Sequence, residues 1–396
     1  QARIPLAELA LMDAFPERLN IVGEMSRRML AHAHHPTNVT LTTDPTTALD
    51  GADIVISQIR VGGMSARLLD EAIPPRYGVI GQETVGPGGI ANAFRTIPVM
   101  LNLAYDITHT CPDSVLINFT NPSGMITETL RRMTSINVIG LCNIPTDTQL
   151  EIARMLGVGF EEVALDYFGI NHLSWVRNVF VNGQMRMPEV LRGYIAQAER
   201  EEAPLFAPDL IEALGMIPSY YLAFYYNHPR MLNEQLQGPQ SRAERVMEIE
   251  HELFELYRSP QQVEKPALLA ERGGRNYSVS AARLIAAILG DTGETQIVSV
   301  PNAGTFSNLP PEAAIEVPCR IDAHGAHPLP AAPIPLEVRG LLEAVKASEQ
   351  LAIQAALTGD ERTAVLALLA NPLVPSYGVA RSLLAALLAE HADYMP

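Results

Sequence analysis

The sequence predicts an α/β protein with two lobes, a doubly wound parallel sheet followed by an α+β, mostly helical second domain. Two patterns lead to this prediction. Over residues 1–146, continuously apolar strand segments alternate with helical segments, which is typical of a parallel sheet with helices on both faces. Beyond residue 146, long helical segments dominate and strands are few. We therefore expect one domain over 1–146 and a second over 147–396.

The individual elements follow from apolar runs, which predict strands, and from apolar side chains three and four residues apart, which predict helices. In the first lobe the predicted strands are 9–12, 39–41, 53–57, 114–118 and 137–140, and the helices are 19–29, 46–49, 95–108 and 124–133. In the second lobe the predicted helices are 148–156, 243–257, 278–289 and 338 to the end, with strands at 175–181, 296–300 and 315–318. Such a sheet binds ligands at its carboxyl edge.

Composition excludes several classes of partner. The 396 residues carry a net charge of −16, and an acidic chain lacks the basic face that binds nucleic acid or an anionic membrane. No apolar run approaches the roughly 18 residues that a membrane span needs. Three cysteines, Cys111, Cys142 and Cys319, are too few and too scattered for a disulfide framework. We therefore expect a cytoplasmic protein with no nucleic-acid and no membrane partner.

The start of the sequence departs from the predicted fold. A dinucleotide-binding sheet opens with a strand, a glycine-rich turn and a helix whose N-terminus holds the pyrophosphate. Here residue 1 directly precedes what corresponds to the second strand. We expect the first βα unit to lie outside this sequence; the alternative is that the fold prediction is wrong.

Side chains that could bind a ligand or take part in catalysis follow the predicted strands. Asp13 ends the first strand, where an acidic residue can bind a ribose, although an Asp there is commonly a helix N-cap. Ser57–Gly63 and Asn118–Pro122 follow two further strands, and both are also typical turn sequences. Cys142 and His172 would suit a borderline transition metal, but a buried cysteine and a lone histidine are more often structural.

Three other segments stand out by composition. Gly78–Gly89 holds five glycines among twelve residues, which indicates either close backbone approach or a flexible surface loop. Ser219–Tyr226 holds four tyrosines in eight residues, a pattern that usually belongs to the core. Arg242 and Arg272 each precede a predicted helix, where an arginine is usually solvated.

Taken in order, these segments resemble the family 4 glycoside hydrolases, NAD- and metal-dependent glycosidases. The matching segments are Ser57–Gly63 with Arg67, Tyr77–Gly89, Asn118–Pro122 with Gly124, Gly140–Pro145, Gly169–Leu173, Tyr221–Tyr226, Arg242–Glu250, Arg272–Ser278 and Asn302–Gly304. The resemblance covers essentially the whole chain. Cys142–Pro145 looks like the 6-phospho-β-glucosidase version, because 6-phospho-α-glucosidases carry Asp at the position of Asn143 and α-galactosidases typically carry His there.

The resemblance implies hydrolysis of a β-glucoside 6-phosphate or phosphorylated disaccharide with NAD and Mn²⁺ or another divalent metal. NAD⁺ would oxidise C3 of the sugar, a base would remove the C2 proton, the C1 group would leave, water would add and NADH would return the hydride. It also implies a role for each matching residue. The catalytic residues would be Tyr221 and Asn143, the metal ligands Cys142 and His172, the substrate contacts Arg67, Asn121, Asn143 and Arg242, and the NAD contacts Asp13, Gln58, Arg60, Asn118 and Thr120.

The sequence departs from the family pattern at two points, and other functions fit parts of it. The glycine-rich turn of the family is missing, and the join near Gly183 is shorter than expected, which suggests a loop outside this sequence. An NAD-dependent dehydrogenase of the 2-hydroxy-acid type shares the first lobe, and a non-catalytic NAD sensor would share it too. A 6-phospho-α-glucosidase or an α-galactosidase would share the whole fold. Relatives form dimers and tetramers, so we expect a homodimer or homotetramer.

Overall fold

The computed structural model describes residues 4–273 and 276–394. Its strands are β1 (Glu8–Met12), β2 (Asn38–Thr42), β3 (Ile54–Ser57), β4 (Val115–Asn118), β5 (Asn137–Gly140), β6 (Val163–Ile170), β7 (Leu173–Val181), β8 (Gln184–Met185), β9 (Ile217–Pro218), β10 (Glu294–Pro301), β11 (Ala314–Asp322) and β12 (Gly325–Pro328). The Asn38–Thr42 and Asn137–Gly140 strands match the predicted apolar runs closely.

The helices alternate with these strands in the first lobe and dominate the second. They are α1 (Pro16–His32), α2 (Pro45–Leu49), α3 (Gly63–Ala72), α4 (Gly86–Thr110), α5 (Ser123–Met133), α6 (Ile144–Leu156), α7 (Met187–Ala198), α8 (Pro208–Leu214), α9 (Ala223–Tyr226), α10 (His228–Gln237), α11 (Arg242–Arg258), α12 (Leu269–Arg272), α13 (Tyr277–Gly290), α14 (Leu336–Thr358), α15 (Glu361–Ala370) and α16 (Tyr377–Glu390). No helix in the described ranges combines the length and apolarity needed to cross a membrane.

The predicted parallel sheet is confirmed. Strands β3, β4 and β5 pair in parallel in chain order, with Ile54 opposite Val115 and Val115 opposite Asn137. Strands β1 and β2 form a separate parallel pair in the described structure. The continuously buried residues Val115–Asn118 explain the lack of polar alternation in this part of the sequence, because both faces of the sheet are covered by helices.

The second lobe contributes to the same sheet. Strand β10 pairs antiparallel with β5 at Ser299 and Gly140, and β11 and β12 follow, so the six-stranded order is β12-β11-β10-β5-β4-β3. The sheet therefore crosses the predicted boundary after residue 146. The division into 1–146 and 147–396 stays a proposal about chain organisation, since it does not separate two sheets.

A second sheet carries the turn that enters the site. Strands β6 and β7 form an antiparallel hairpin joined by Asn171 and His172, and the short strands β8 and β9 pair with β7. The predicted strand at 175–181 is thus part of a longer hairpin, and β6 was not predicted. Strand β6 lies against β11, since Tyr167 donates a 2.9 Å hydrogen bond to Glu316 Oε2.

The glycine-rich segment is not the flexible surface loop that was one interpretation. Its residues from Val79 to Gly81 and from Val85 to Gly89 are buried, and α4 begins at Gly86, nine residues before the predicted start. A Cβ on Gly81 would lie 1.8 Å from the Glu71 carbonyl oxygen, and one on Gly88 would lie 2.5 Å from that of Asp70. Only glycine permits α3 to pack this closely on the segment.

The helix predicted from 338 to the end is wrong as a single element. It is three helices, α14, α15 and α16, and Gly359 ends the first of them with φ +68°. Asp360 accepts hydrogen bonds from the backbone N–H groups of Arg362 and Thr363 and caps the second. The residues between α15 and α16 include two prolines, which do not continue a helix.

Candidate active site

The predicted site residues converge where the carboxyl ends of β4 and β5 meet the β6–β7 turn. Cys142 and Asn143 follow β5, His172 occupies the turn, and Tyr221 comes from a short 3₁₀ helix after β9. The ring of Tyr221 stacks on that of His172 with centroids 4.0 Å apart. Residues far apart in the sequence thus form one cluster.

Cys142 is a buried thiol placed directly before the N-terminus of α6. Burial raises the pKa of the Cys142 thiol well above its usual value, and the nearby Glu316 carboxylate raises it further. Hydrogen bonds from the Ile144 backbone and the Asn171 side chain lower it in part. The free protein therefore holds Cys142 as a thiol, next to donors that favour its thiolate.

His172 is held in an uncommon backbone conformation. Its φ is +64°, in the left-handed region that costs a side-chain-bearing residue of order 1–3 kcal/mol and is frequent at functional sites. Nδ1 lies 2.9 Å from Thr84 Oγ1. Burial lowers the pKa of His172 to about 4, although the Glu83 carboxylate opposes the shift. The imidazole is thus neutral at neutral pH, the form that binds a metal.

Tyr221 lies between this pair and a cluster of charges. Burial raises its pKa well above the usual value, and the neighbouring Cys142 and Glu83 raise it further. In the protein without ligands Tyr221 therefore keeps its proton. The Arg67 guanidinium is close enough for the two groups to interact electrostatically, and it is a positive charge that favours a phenolate.

Glu83, in the glycine-rich segment, joins two arginines. Arg60 Nη1 donates to Glu83 Oε2, and Arg67 Nη1 lies 3.0 Å from Glu83 Oε1. Arg67 Nε also donates to Glu71 Oε1 at 2.8 Å. Burial would raise the pKa of Glu83, but Arg60 and Arg67 outweigh it and lower the pKa. The network holds Arg67 rigidly beside Tyr221.

Arg242 brings a second guanidinium to this side of the cluster. It is the first residue of α11, and its Nη2 donates to the Glu271 carbonyl oxygen at 2.7 Å. Burial lowers the pKa of Arg242, and the nearby Arg67 guanidinium lowers it further. Two guanidinium groups that repel each other form a favourable site for an anion. The matching segment 272–278 borders Arg242, but Gly274 and Arg275 lie outside the described residues.

The predicted substrate contacts Asn121 and Asn143 lie at the mouths of β4 and β5. Asn143 is the N-cap residue of α6 and its amide donates to Asp147 Oδ2, while Asn276 donates to Asp147 Oδ1. Asn121 is partly exposed, and its Oδ1 accepts from the Ser123 N–H at 3.3 Å. Neither side chain is an acid.

The five predicted NAD contacts fall into two groups. Asp13 and Gln58 are accessible: Asp13 Oδ1 accepts from the Phe15 N–H at 2.9 Å, its Oδ2 lies 3.5 Å from Arg18 Nε, and Gln58 is exposed. Asp13 is not the helix N-cap, which is Phe15. The other three, Arg60, Asn118 and Thr120, have partners within the chain.

Asn118 and Thr120 support the loops at the sheet edge. Asn118 Oδ1 accepts from Ser57 Oγ at 2.9 Å and from the Thr120 N–H at 3.0 Å, and its Nδ2 reaches Thr127 Oγ1 at 3.2 Å. Thr120 Oγ1 accepts from the Ile59 N–H at 3.1 Å. Because these side chains are buried and bonded, contact with NAD through them stays a prediction.

Sequence reasoning missed Asn171 and Glu316, as it missed Glu83 and Thr84. Asn171 donates from Nδ2 to Glu316 Oε1 at 3.1 Å and also hydrogen-bonds the Cys142 sulfur, so it ties β11 to the thiol. Glu316 is 1% exposed, and burial raises its pKa despite hydrogen bonds from Asn171 and Tyr167. A single carboxylate within the apolar strand around residue 316 was a signal that could have found it.

The pair Cys142 and His172 fits a divalent metal with open positions. A neutral imidazole and a thiol placed among hydrogen-bond donors are metal ligands once the thiol ionises. Within residues 4–273 and 276–394 no three His, Cys, Asp or Glu side chains converge as a metal site. The chain would thus supply two ligands, and other ligands would come from substrate or water, as in catalytic rather than closed structural sites.

The fold and this site define a class. The family model described as "Family 4 glycosyl hydrolase" matches residues 1–158, and the model of the family's C-terminal domain matches 167–374. The chain belongs to glycosyl hydrolase family 4. This membership favours a glycosidase over the dehydrogenase and the non-catalytic sensor.

Individual relatives span nearly the whole chain. It is 41% identical to the "Probable 6-phospho-beta-glucosidase" of Bacillus subtilis, covering 99% of this chain and 91% of the relative. It is 36% identical to the 6-phospho-beta-glucosidase of Escherichia coli, covering 99% and 90%. The crystal structure of the Thermotoga maritima 6-phospho-beta-glucosidase with manganese, NAD⁺ and glucose-6-phosphate superposes with a TM-score of 0.92 at 34% identity, covering 99% and 93%.

Proposed function

We propose that this protein is a 6-phospho-β-glucosidase that hydrolyses β-linked glucoside 6-phosphates with NAD and a divalent metal, Mn²⁺ in the first instance. The observation that carries the proposal is the stacking of Tyr221 on His172 beside Cys142, because a phenol next to a metal-ligand pair suits proton removal from a sugar carbon. The 41% identity to a B. subtilis relative with that name supports the same activity.

When bound, NAD⁺ accepts hydride from C3 of the sugar, and the metal polarises the oxygens at C2 and C3. Cys142 and His172 hold the metal in this proposal. Tyr221 removes the C2 proton; its pKa, raised by burial, has to fall for this step, and the Arg67 guanidinium favours the phenolate. Departure of the group on C1 then follows deprotonation at C2. Water adds to the unsaturated ketone at C1 while C2 regains a proton, and the NADH formed in the first step would return hydride to C3, so that the net reaction is hydrolysis.

The sugar phosphate is assigned to the two arginines. Arg67 is fixed by Glu71 and Glu83, and Arg242 lies close enough to Arg67 for their charges to interact. A phosphate between two guanidinium groups relieves their repulsion and accepts charge-assisted hydrogen bonds from both. Asn121, partly exposed at the end of β4, is assigned to a sugar hydroxyl.

Asn143 favours the β-linked substrate over the α-linked one and over α-galactosides. Its amide donates to Asp147 and cannot give a proton as a carboxylic acid does. A leaving group expelled after C2 deprotonation needs less acid assistance than one displaced directly. We assign Asn143 to orienting the substrate near C1.

For the accessible NAD contacts we propose Asp13 on the adenosine ribose and Gln58 beside it. Asp13 ends β1 and is only half-buried, and its two oxygens accept one backbone hydrogen bond and face Arg18. This is the position from which an acidic residue binds ribose hydroxyls in doubly wound sheets. Arg60, bound to Glu83, is closer to the sugar side.

Replacing Arg242 by Ala should weaken the use of phosphorylated substrates selectively. Loss of a charge-assisted contact to phosphate should cost about 2–4 kcal/mol, or about 10²-fold in kcat/KM. Steady-state kinetics on p-nitrophenyl β-glucoside 6-phosphate and on its unphosphorylated counterpart measure the difference. Arg245, one turn further along α11 and paired with Glu248 and Glu271, provides the matched control as Arg245→Ala. Equal losses on both substrates would show that Arg242 serves the fold or the metal site.

The activity itself should require both added groups. Protein stripped with EDTA and freed of NAD should not release p-nitrophenol from p-nitrophenyl β-glucoside 6-phosphate, and Mn²⁺ with NAD⁺ should restore the reaction. The α-anomer and the α-galactoside serve as comparison substrates. Hydrolysis that survives EDTA and removal of NAD would contradict the proposed function, and faster turnover of the α-anomer would contradict its β specificity.

We also propose that the protein forms a homodimer or homotetramer. Leu336 is 77% exposed and Tyr105 65% exposed, and association into a homodimer or homotetramer would bury side chains of this kind. Light scattering coupled to size-exclusion chromatography measures the state directly.

A further inference from the structure

In the described residues, Thr84 is the only hydrogen-bond partner of the His172 ring. The other hydrogen bonds of Thr84 determine whether its hydroxyl donates to the ring or accepts from it. The Thr84 hydroxyl lies 2.9 Å from His172 Nδ1 and 2.8 Å from Gln82 Oε1. A hydroxyl has one hydrogen to give and two lone pairs that accept. The question is which of its two neighbours receives the hydrogen.

The amide orientation of Gln82 determines which neighbour receives the hydrogen, because two backbone N–H groups fix that orientation. The Thr84 N–H donates to Gln82 Oε1 at 2.5 Å, and the Val85 N–H donates to the same oxygen at 2.8 Å. Two backbone N–H groups cannot face an amide NH₂. The atom near Thr84 is therefore an oxygen, which only accepts.

The Thr84 hydroxyl must then donate to Gln82, since otherwise two oxygens would stand 2.8 Å apart with no hydrogen between them. Its lone pair is left for His172, so Nδ1 must carry the hydrogen. We infer that Thr84 is a positioning residue that holds His172 in the Nδ1–H tautomer and so presents the Nε2 lone pair to the divalent metal. The inference rests on the proposed function, in which His172 is a metal ligand.

The segment that carries Thr84 is rigid enough for this role. Gln235 brackets Gly81, donating from Nε2 to its carbonyl at 2.8 Å and accepting from its N–H at 3.0 Å. Asn92 donates to the Glu83 carbonyl at 3.1 Å. The nearest carboxylate to the imidazole, that of Glu83, is taken up by Arg60 and Arg67 and does not compete for Nδ1. The relay Gln82–Thr84–His172 also gives Gln82 and Thr84, two of the three adjacent polar residues among the glycines, a common role.

A relay of this kind orients a metal-binding imidazole, and its loss typically weakens metal affinity by about 10–100-fold. Thr84→Val keeps the shape of the side chain but removes the acceptor, whereas Thr84→Ser keeps the hydroxyl. Thr129→Val is the matched control, because it makes the same substitution at a threonine whose hydroxyl bonds the Met125 carbonyl of its own helix and not His172. Mn²⁺ binding to the full chain with NAD⁺ present is measured from the electron paramagnetic resonance signal of free Mn²⁺.

We expect Thr84→Val to weaken Mn²⁺ binding by about 10–100-fold, with Thr84→Ser and Thr129→Val close to the unaltered protein. The unaltered protein without metal gives a second, independent measurement: the ¹⁵N shifts of the His172 ring, assigned by comparison with His172→Ala, should report a protonated Nδ1 and a free Nε2. A protonated Nε2 would overturn the inference even if Thr84→Val failed to fold. Unchanged Mn²⁺ affinity in Thr84→Val would overturn it as well.

The His172→Ala variant separates this inference from the proposed function. If His172→Ala loses Mn²⁺ and Thr84→Val does not, the ligand assignment stands and only the positioning role of Thr84 fails. If His172→Ala binds Mn²⁺ as the unaltered protein does, the ligand assignment itself is wrong.

Discussion

Cys142→Ser and His172→Ala should each lower kcat/KM on a β-glucoside 6-phosphate by about 10³-fold or more. A metal contributes several kcal/mol of stabilisation to a transition state that carries developing negative charge, and each 1.36 kcal/mol is about a factor of ten in rate. Both side chains are buried. Rates at saturating Mn²⁺ and NAD⁺ measure the loss.

NAD⁺ binding should survive both changes, because the proposed function assigns Cys142 and His172 to the metal at the sugar and Asp13 to the adenosine ribose. Equilibrium dialysis with NAD⁺ checks this. Cys111→Ser is the matched control: Cys111 is exposed to the same 6% as Cys142 but lies at the end of α4, where Ser114 Oγ is 3.5 Å from its sulfur. A Cys142→Ser enzyme with normal rates and tight metal binding would show that Cys142 is not a ligand.

Tyr221→Phe should lower kcat by about 10²–10⁴-fold, the range expected when a general base is removed. The phenylalanine ring keeps the stacking on His172 but has no oxygen to receive the proton. Exchange of the C2 hydrogen with solvent should disappear together with turnover. Kinetics and proton exchange by NMR on the same substrate measure the two effects.

The neighbouring tyrosines provide the controls. Tyr220 is 53% exposed, and Tyr225 hydrogen-bonds Asn371. Tyr220→Phe and Tyr225→Phe should each keep exchange and most of the rate. Loss of C2 exchange in Tyr225→Phe, with exchange retained in Tyr221→Phe, would move the base assignment to Tyr225.

The strands of the first lobe were predictable because their sequence signal is local. Residues 115–117 and 138–140 are buried, so a run without polar alternation is what the fold requires of them. The start of α4 was not predictable in this way. Gly86–Gly89 has poor intrinsic helix propensity, and its helical conformation depends on close packing against α3, which is a tertiary effect.

The C-terminal helices were predicted as one element because the apolar periodicity continues across their junctions. The separation of α14 from α15 depends on Gly359 and on Asp360, whose side chain caps α15. In the sequence, Gly359 is a typical helix C-terminal residue and Asp360 a typical N-cap of the next helix. These two residues, rather than the apolar periodicity, indicate the boundary between α14 and α15.

The sequence predicted residues for the candidate site but not the contacts between them. Cys142, His172 and Tyr221 were reached through the family resemblance, and the structure brings them together. Which groups support them depends on contacts between distant segments: Asn171 with Glu316, and His172 with Thr84. The hydrogen bonds of Asn118 with Ser57 and of Thr120 with Ile59 are likewise contacts between distant segments, and they leave the predicted NAD contacts untested.

The central claim is that cleavage at C1 proceeds through removal of the C2 proton. It is tested most directly by incubating substrate deuterated at C2 with the unaltered enzyme, NAD⁺ and Mn²⁺ in ordinary water. We predict that the substrate reacts more slowly than its protonated form, and that the glucose 6-phosphate product carries hydrogen from solvent at C2. Product that retains all of its C2 deuterium would contradict the account, because direct displacement at C1 leaves that bond untouched.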